Sequence, residues 1–160
     1  MPAKQMTADP ETQAPLHTIV TAPRVLSADD IATYSALSGD RSPIHCDAEF
    51  AKRSHFGGII AHGTLVLAVA QGLMVSSGIF RDSIAFLGLT WRMKGPVRPG
   101  DTLHVEFAVN SRRPSRTDPR HEIVELSFRV INQFTATVGE GSWTQLFPVQ
   151  QIAGRETTKP

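Results

Sequence analysis

A carboxylate and an imidazole stand five residues apart in a short polar stretch, at Asp40 and His45. Pro43 lies between them. Because proline disfavours helix for itself and for the residue before it, the stretch is predicted to be a turn that aims both side chains. A carboxylate and an imidazole held side by side can bind one water molecule and move its protons. The spacing therefore indicates general acid–base chemistry.

A second group of candidate residues, His62-Gly63-Thr64, opens the most apolar segment of the chain. Free N–H groups at the start of a helix can polarise a carbonyl group, and glycine lets a substrate come close. The alternative is structural at both places. In that interpretation Gly63 only permits a tight turn into the helix, Asp40 caps a turn, and His45 is a buried histidine with its hydrogen bonds satisfied.

The elements predicted around these residues place helices first and strands after them. Helices are predicted at 27–39, capped by Ser27 and ended by Gly39, at 48–53, capped by Asp47, and at 63–77. Strands are predicted at 16–21, 84–93, 102–109, 121–131 and 135–147, with Gly139 and Gly141 as bends or bulges and an arginine-rich loop at 112–120. This order predicts an α+β fold, with one antiparallel sheet packed on one main helix.

Three details of these elements are also predicted. The first helix is expected to bury one face, formed by Ile31, Tyr34 and Leu37. The helix at 63–77 has no charged face and is expected to be buried on all sides. Asp40 follows the C-terminal end of the first helix, whose partial negative charge is expected to raise the pKa of its carboxyl group.

Composition restricts the classes of function. The chain has 160 residues, 41% of them hydrophobic, and a net charge of +1, which is typical of one globular domain and gives no argument for a nucleic-acid partner. Polar residues interrupt the uncharged run at 57–80, so no membrane span is predicted. The single cysteine fits a reducing, cytoplasmic compartment. We predict a flexible leader at 1–15, one domain at 16–150 and a flexible tail at 151–160.

Two other groups of residues receive no functional assignment. Four residues with metal-ligating side chains have a spacing that fits no common zinc signature: His45, Asp47, His55 and His62. We therefore predict no metal and no cofactor. Four arginines could bind phosphate groups, although a run of charges is more often a solvated surface: Arg112, Arg113, Arg116 and Arg120.

Three motifs occur together and in order. They are Ser38-Gly39-Asp40-x-x-Pro43-Ile44-His45-x-Asp47, then Ile60-Ala61-His62-Gly63, and then Pro96-Val97-x-Pro99-Gly100-Asp101-Thr102-Leu103. In this combination the chain resembles the MaoC-like dehydratases, which include the (R)-specific enoyl-CoA hydratases. The resemblance covers most of the chain. It implies a hot-dog fold, in which an antiparallel β-sheet wraps around a long central helix and pairs with a second subunit.

The resemblance also implies a reaction and its residues. The reaction is addition of water to a trans-2-enoyl-CoA to give an (R)-3-hydroxyacyl-CoA, or the reverse dehydration. Asp40 and His45 match the catalytic pair of the family. The substrate-binding residues would then be Ser42, His62, Gly63 and Thr64. The expected partners are an acyl-CoA thioester and a second copy of the chain, in a homodimer or a higher homo-oligomer, with no nucleic acid and no membrane.

One departure from the family leaves other functions open. The family commonly has asparagine where this chain has Ser42, and the serine side chain reaches less far. A thioesterase on the same fold is one alternative, although the Asp-x-x-Pro-x-His turn argues against it. A non-catalytic subunit that binds acyl-CoA or an acyl carrier is the other, and Ser42 keeps it open. Gln71, Met74 and Phe86 are candidates for the acyl pocket.

Overall fold

The computed structural model describes residues 18–149. The helices are α1 (Ala28–Ser38), α2 (Pro43–Cys46), α3 (Ala48–Arg53) and α4 (Gly63–Ser76). The strands are β1 (Ile19–Val20), β2 (Arg24–Val25), β3 (Ala85–Met93), β4 (Thr102–Pro114), β5 (His121–Asn132) and β6 (Thr137–Pro148). The leader predicted at 1–15 and the tail predicted at 151–160 lie outside the described residues.

The strands form one antiparallel sheet in the order β1-β4-β5-β6-β3, and β2 pairs beside β1 with β4. Alternate residues of the central strands point into the core, as the sequence pattern predicts. These buried residues are Leu103, Val105 and Phe107 on β4 and Val124, Leu126, Phe128 and Val130 on β5. The core is completed from α4 by Leu65, Val66, Val69, Ala70 and Met74. The predicted sheet on one main helix is therefore confirmed.

The ends of α1 follow from local capping. The hydroxyl of Ser27 accepts a hydrogen bond from the Asp30 N–H at 3.1 Å, and the Asp30 carboxylate accepts one from the Ser27 N–H at 2.8 Å. At the other end, Gly39 has φ 78°, a left-handed conformation that glycine adopts without strain. These caps fix where the chain leaves α1 and place Asp40 directly after the helix.

The stretch between Asp40 and His45 was predicted as a turn, and it contains a single turn of helix, α2, instead. Pro43 occupies the first helical position, where a missing N–H costs no intrahelical hydrogen bond and the fixed φ suits a helix. His45 is consequently carried on a helical turn whose start is set by Pro43.

The arginine-rich loop is shorter than predicted. Strand β4 continues to Pro114, because its outer end pairs with β5 beyond a register shift between Val109 and Ser111. Arg112 also donates to the Glu122 carboxylate across the two strands at 2.6 Å.

The first strand is also shorter than predicted. Of the predicted range 16–21, residues 16 and 17 lie outside the described part, and only Ile19–Val20 is strand.

The predicted face of α1 is confirmed at Ile31, which is buried, and at Tyr34, which packs against the core, but not at Leu37, which is 82% exposed. The second buried position of α1 is Ser35, four residues after Ile31. The predicted enclosure of α4 also fails, because the sheet covers only one side of it. Six of its residues remain exposed in the single chain: Thr64, Ala68, Gln71, Gly72, Val75 and Ser76. Within residues 18–149, no helix is long and apolar enough to cross a membrane.

Candidate active site

The structure brings together three of the residues that the sequence singled out. Asp40 follows α1, His45 lies on α2, and His62 is the N-cap residue of α4. One side-chain oxygen or nitrogen from each lies within 4.8 Å of the others. The three elements thus place a carboxylate and two imidazoles in a single cluster.

The carboxylate of Asp40 is held by the residue two positions along the chain. Its Oδ1 accepts hydrogen bonds from the hydroxyl of Ser42 at 2.6 Å and from the Ser42 N–H at 3.1 Å. These two bonds, with smaller contributions from His62 and His45, lower the pKa of the exposed Asp40 carboxyl. The predicted rise in this pKa is therefore wrong, because direct hydrogen bonds outweigh the end of a helix.

His45 has one nitrogen committed to the protein. Its Nδ1 lies 2.8 Å from the carbonyl oxygen of Ile60, and since a carbonyl only accepts, Nδ1 carries the hydrogen. In the neutral ring, Nε2 then has a free lone pair. The ring is only partly buried. His45 can therefore direct an accepting nitrogen at a small molecule beside Asp40.

His62 is placed differently from its partners, since it is only 2% exposed. Its Nε2 lies 3.0 Å from the Asp40 carbonyl oxygen and 3.3 Å from the hydroxyl of Ser35. Its ring centre is 3.9 Å from that of His45. The predicted substrate-binding role of His62 stays a prediction, and this burial leaves little of its side chain within reach of a substrate. Ser35 was missed in the sequence, although its spacing of four residues from Ile31 puts it on the core face of α1.

Gly63 and Thr64 are the first two residues of α4. The first N–H groups of a helix have no partner within it, so this end can accept a partial negative charge. The Gly63 carbonyl accepts a hydrogen bond from the indole of Trp91 at 3.2 Å. A Cβ at Gly63 would lie 3.1 Å from the Met93 side chain. Glycine therefore lets the start of α4 sit close against β3.

A mostly apolar cleft of about 460 Å³ adjoins the cluster. It is lined by residues of α1 and α2, including His45 and Cys46, and by Ile59 and Pro99. None of the three candidates for an acyl pocket, Gln71, Met74 and Phe86, lines this cleft. Met74 is fully buried in the core, whereas Phe86 is 53% exposed on β3.

The cluster also presents atoms that bind metals elsewhere in proteins. However, Nδ1 of His45 is hydrogen-bonded to the backbone carbonyl of Ile60, and Nε2 of His62 is hydrogen-bonded to the backbone carbonyl of Asp40. The other nitrogen of His62 is buried. A metal bound by all three residues would require the His62 ring to move or to give up its bond. The donor set fits proton transfer better than metal binding.

An antiparallel sheet against one long helix, with these side chains beside the start of that helix, defines a protein of the hot-dog fold. A solved structure with this architecture is the MaoC-like dehydratase from Rhodospirillum rubrum. It is 30% identical, with a TM-score of 0.76, over 85% of this chain and 93% of that chain. The family model described as the MaoC-like domain matches residues 6–129. The chain belongs to this MaoC-like hydratase and dehydratase family.

Curated relatives have names of the same kind. The (R)-specific enoyl-CoA hydratase of Aeromonas caviae is 32% identical over 66% of this chain and 75% of its own length. The mitochondrial 3-hydroxyacyl-[acyl-carrier-protein] dehydratase FERN of Solanum lycopersicum is 30% identical over 78% of this chain and 72% of its own length. Protein MaoC of Klebsiella aerogenes is 38% identical over 58% of this chain, which spans only 28% of that longer protein.

Proposed function

We propose that this protein adds water to a trans-2-enoyl thioester, giving an (R)-3-hydroxyacyl thioester, or catalyses the reverse dehydration. The observation that carries the proposal is the pairing of an ionised Asp40 with His45, whose free nitrogen is fixed by the bond to Ile60. The names of the relatives support the reaction class with coenzyme A and with acyl-carrier protein. We propose coenzyme A as the carrier.

In the proposed mechanism, one water molecule supplies both parts that are added. Asp40 and the Nε2 of His45 each accept a hydrogen bond from it, which turns an oxygen lone pair toward the β-carbon of the substrate. As the C–O bond forms, Asp40 takes the proton and the electrons of the C=C bond move onto the thioester oxygen. The protonated Asp40 then returns the proton to the α-carbon. The lowered pKa of Asp40 keeps the carboxylate ionised before the reaction and makes the protonated group a better acid in the second step, while it makes the carboxylate a weaker base in the first.

The negative charge on the thioester oxygen needs stabilisation. We propose that the N–H groups of Gly63 and Thr64 donate to this oxygen, because they lie at the positive end of α4. Ser42 then acts on the substrate only indirectly, through the carboxylate of Asp40.

We further propose a homodimer or a higher homo-oligomer. Strand β3 lies at one edge of the described sheet. Three of its apolar residues are exposed, Phe86, Leu87 and Leu89, and so is Ile84, which directly precedes it. An apolar edge strand favours pairing with another chain. The cytoplasmic location stays a prediction.

The test measures the loss of enoyl absorbance when the purified protein is added to crotonyl-CoA and to a longer trans-2-enoyl-CoA. We expect hydration by the wild type, and a loss of kcat of about 100-fold or more in Asp40→Asn and in His45→Gln, because each removes one proton-transfer group. Asp47→Asn and His55→Gln are matched controls that change the same residue types outside the cluster. Both should keep wild-type activity.

Other outcomes would indicate a different function or a different acyl carrier. Release of free thiol would indicate a thioesterase. Turnover of an enoyl-acyl-carrier protein without turnover of the coenzyme A thioester would correct the proposed carrier. Binding of both thioesters by the folded protein, without turnover of either, would indicate the non-catalytic subunit and contradict the proposed reaction.

A further inference from the structure

His62 lies where three elements meet. Its ring contacts the end of α1 through Ser35, the following loop through the Asp40 carbonyl, and α2 through the ring of His45. It is also the N-cap residue of α4, although its side chain makes no capping hydrogen bond. The ring is therefore buried at the junction of the elements that carry the proposed catalytic pair, and it does not cap the start of α4.

The two nitrogens of His62 have unequal surroundings. A carbonyl oxygen only accepts, so the Nε2 that lies 3.0 Å from the Asp40 carbonyl must carry the hydrogen. The Nδ1 of the neutral ring is then an acceptor, and it has no hydrogen-bond partner among residues 18–149. A buried acceptor without a partner is unfavourable for folding. A histidine that keeps such an atom buried is expected to contribute something other than stability.

The contact with His45 supplies this reason. The two imidazole centres are 3.9 Å apart and the planes are inclined by 32°. His45 is otherwise held by the single bond from its Nδ1 to Ile60, about which its ring could rock. The His62 ring lies against one face of His45 and limits that motion. The same ring anchors the backbone of Asp40, so the two groups that must share one water molecule have a common support.

We propose that His62 is a positioning residue. It sets the separation and orientation of Asp40 and His45 without touching the substrate, and Ser35 in turn locates its Nε2. This inference rests on the hydration proposed above for the roles of Asp40 and His45. Histidine is then required at this position for the hydrogen bond that its Nε2 donates and for its flat ring, whereas Nδ1 plays no part.

Three substitutions separate positioning from packing. His62→Gln can place its amide nitrogen near the position of Nε2, whereas the shorter His62→Asn cannot, and His62→Leu has no donor. We expect kcat to fall by about 100-fold in His62→Leu and His62→Asn, since small misplacements of reacting groups cost about that much. His62→Gln should recover at least about tenfold of this loss, while KM changes by less than about threefold in all three variants.

A merely structural role gives a different result. It would lower the unfolding temperature and raise KM in step with the loss of kcat, and glutamine and asparagine would behave alike. Ser35→Ala, which removes one contact of Nε2 and keeps the other, should lower kcat by less than His62→Leu does. Equal activity of His62→Leu and wild type would overturn the proposal directly.

A second readout keeps the inference separate from the proposed reaction. Nuclear magnetic resonance spectra of protein labelled with ¹⁵N-histidine report the orientation and tautomer of His45 whether or not any enoyl thioester is turned over. We expect the His45 ring signals to shift or broaden in His62→Leu and to return toward wild type in His62→Gln. If wild type is inactive while the His45 signals respond, the reaction is wrong and the positioning holds. Unchanged His45 signals in His62→Leu would overturn the positioning role.

Discussion

The charge of Asp40 depends on one neighbouring hydroxyl group. Ser42 lies only two residues away and donates to Oδ1 from both its side chain and its backbone. The side-chain bond has the larger effect on the pKa of Asp40. Since the folded-state pKa is lowered, the ionised carboxylate stabilises the folded protein above the unfolded-state pKa, and this contribution is lost as the pH falls through the folded-state value.

Replacing Ser42 tests this dependence. We expect Ser42→Ala to raise the pKa of Asp40 toward its ordinary value, because one of the two hydrogen bonds to the carboxylate is removed. The acid limb of the pH profile of kcat should also move to higher pH. The pKa is read from a ¹³C titration of the carboxyl group. Ser42→Asn, which keeps a side-chain donor, is the matched variant, and an unchanged Asp40 pKa in Ser42→Ala would contradict the assignment.

Single residues also show where sequence reasoning ends. Asp40, His45 and His62 were found by residue type and spacing, and the structure brings them together. The Ile60 carbonyl and the burial of Ser35 could not be found in this way, because both depend on how distant segments pack. The direction of the Asp40 pKa was missed because it depends on the conformation of one short loop.

Among the elements, β6 comes unusually close to its neighbour β3. A Cβ at Gly141 would lie 2.1 Å from the backbone oxygen of Thr90, and one at Gly139 would lie 2.1 Å from the Trp91 ring. Both glycines were predicted as bends or bulges. The register does shift near Gly139, between Val130 and Ile131 of β5, but the contacts give a second reason for glycine. No single-strand pattern contains that information, since the neighbour is distant in sequence.

We expect Gly141→Ala to destabilise the protein by about 1–3 kcal/mol, because the new methyl group forces the paired backbones apart. Gly88→Ala is the matched control on the facing strand, where a Cβ would meet nothing within 4 Å. Urea unfolding followed by circular dichroism gives both free energies of unfolding. Equal midpoints for the two variants would show that β6 can move away from β3 without cost.

At the scale of the whole molecule, the single chain leaves two features uncovered. One is the edge strand β3 and the other is the outer side of α4. The sequence predicted the order of helices and strands and the antiparallel sheet, because alternation and capping are local signals. It predicted an enclosed α4 because an apolar helix does not reveal whether its own chain or another one covers it.

The proposed self-association is tested at the exposed edge. We expect Leu87→Lys to shift the protein from dimer toward monomer, since a charge on an edge strand opposes pairing. Phe134→Lys is the control, because Phe134 is 75% exposed in the turn between β5 and β6 and lies outside the edge strand. Light scattering during size-exclusion chromatography gives the two masses. A dimer that survives Leu87→Lys but not Phe134→Lys would place the interface at the other end of the sheet.

The hydrogen bond from Trp91 to Gly63 gives the molecule an optical reporter. The chain has two tryptophans, and the indole of the other, Trp143, is bonded to Gln145 in the core. In a Trp143→Phe protein, all tryptophan emission would come from the ring that holds the first carbonyl of α4. A thioester that arrives at this helix end would change the emission as it binds. Stopped-flow fluorescence could then time substrate entry separately from the chemical step, with no chromophore added to the protein or the ligand.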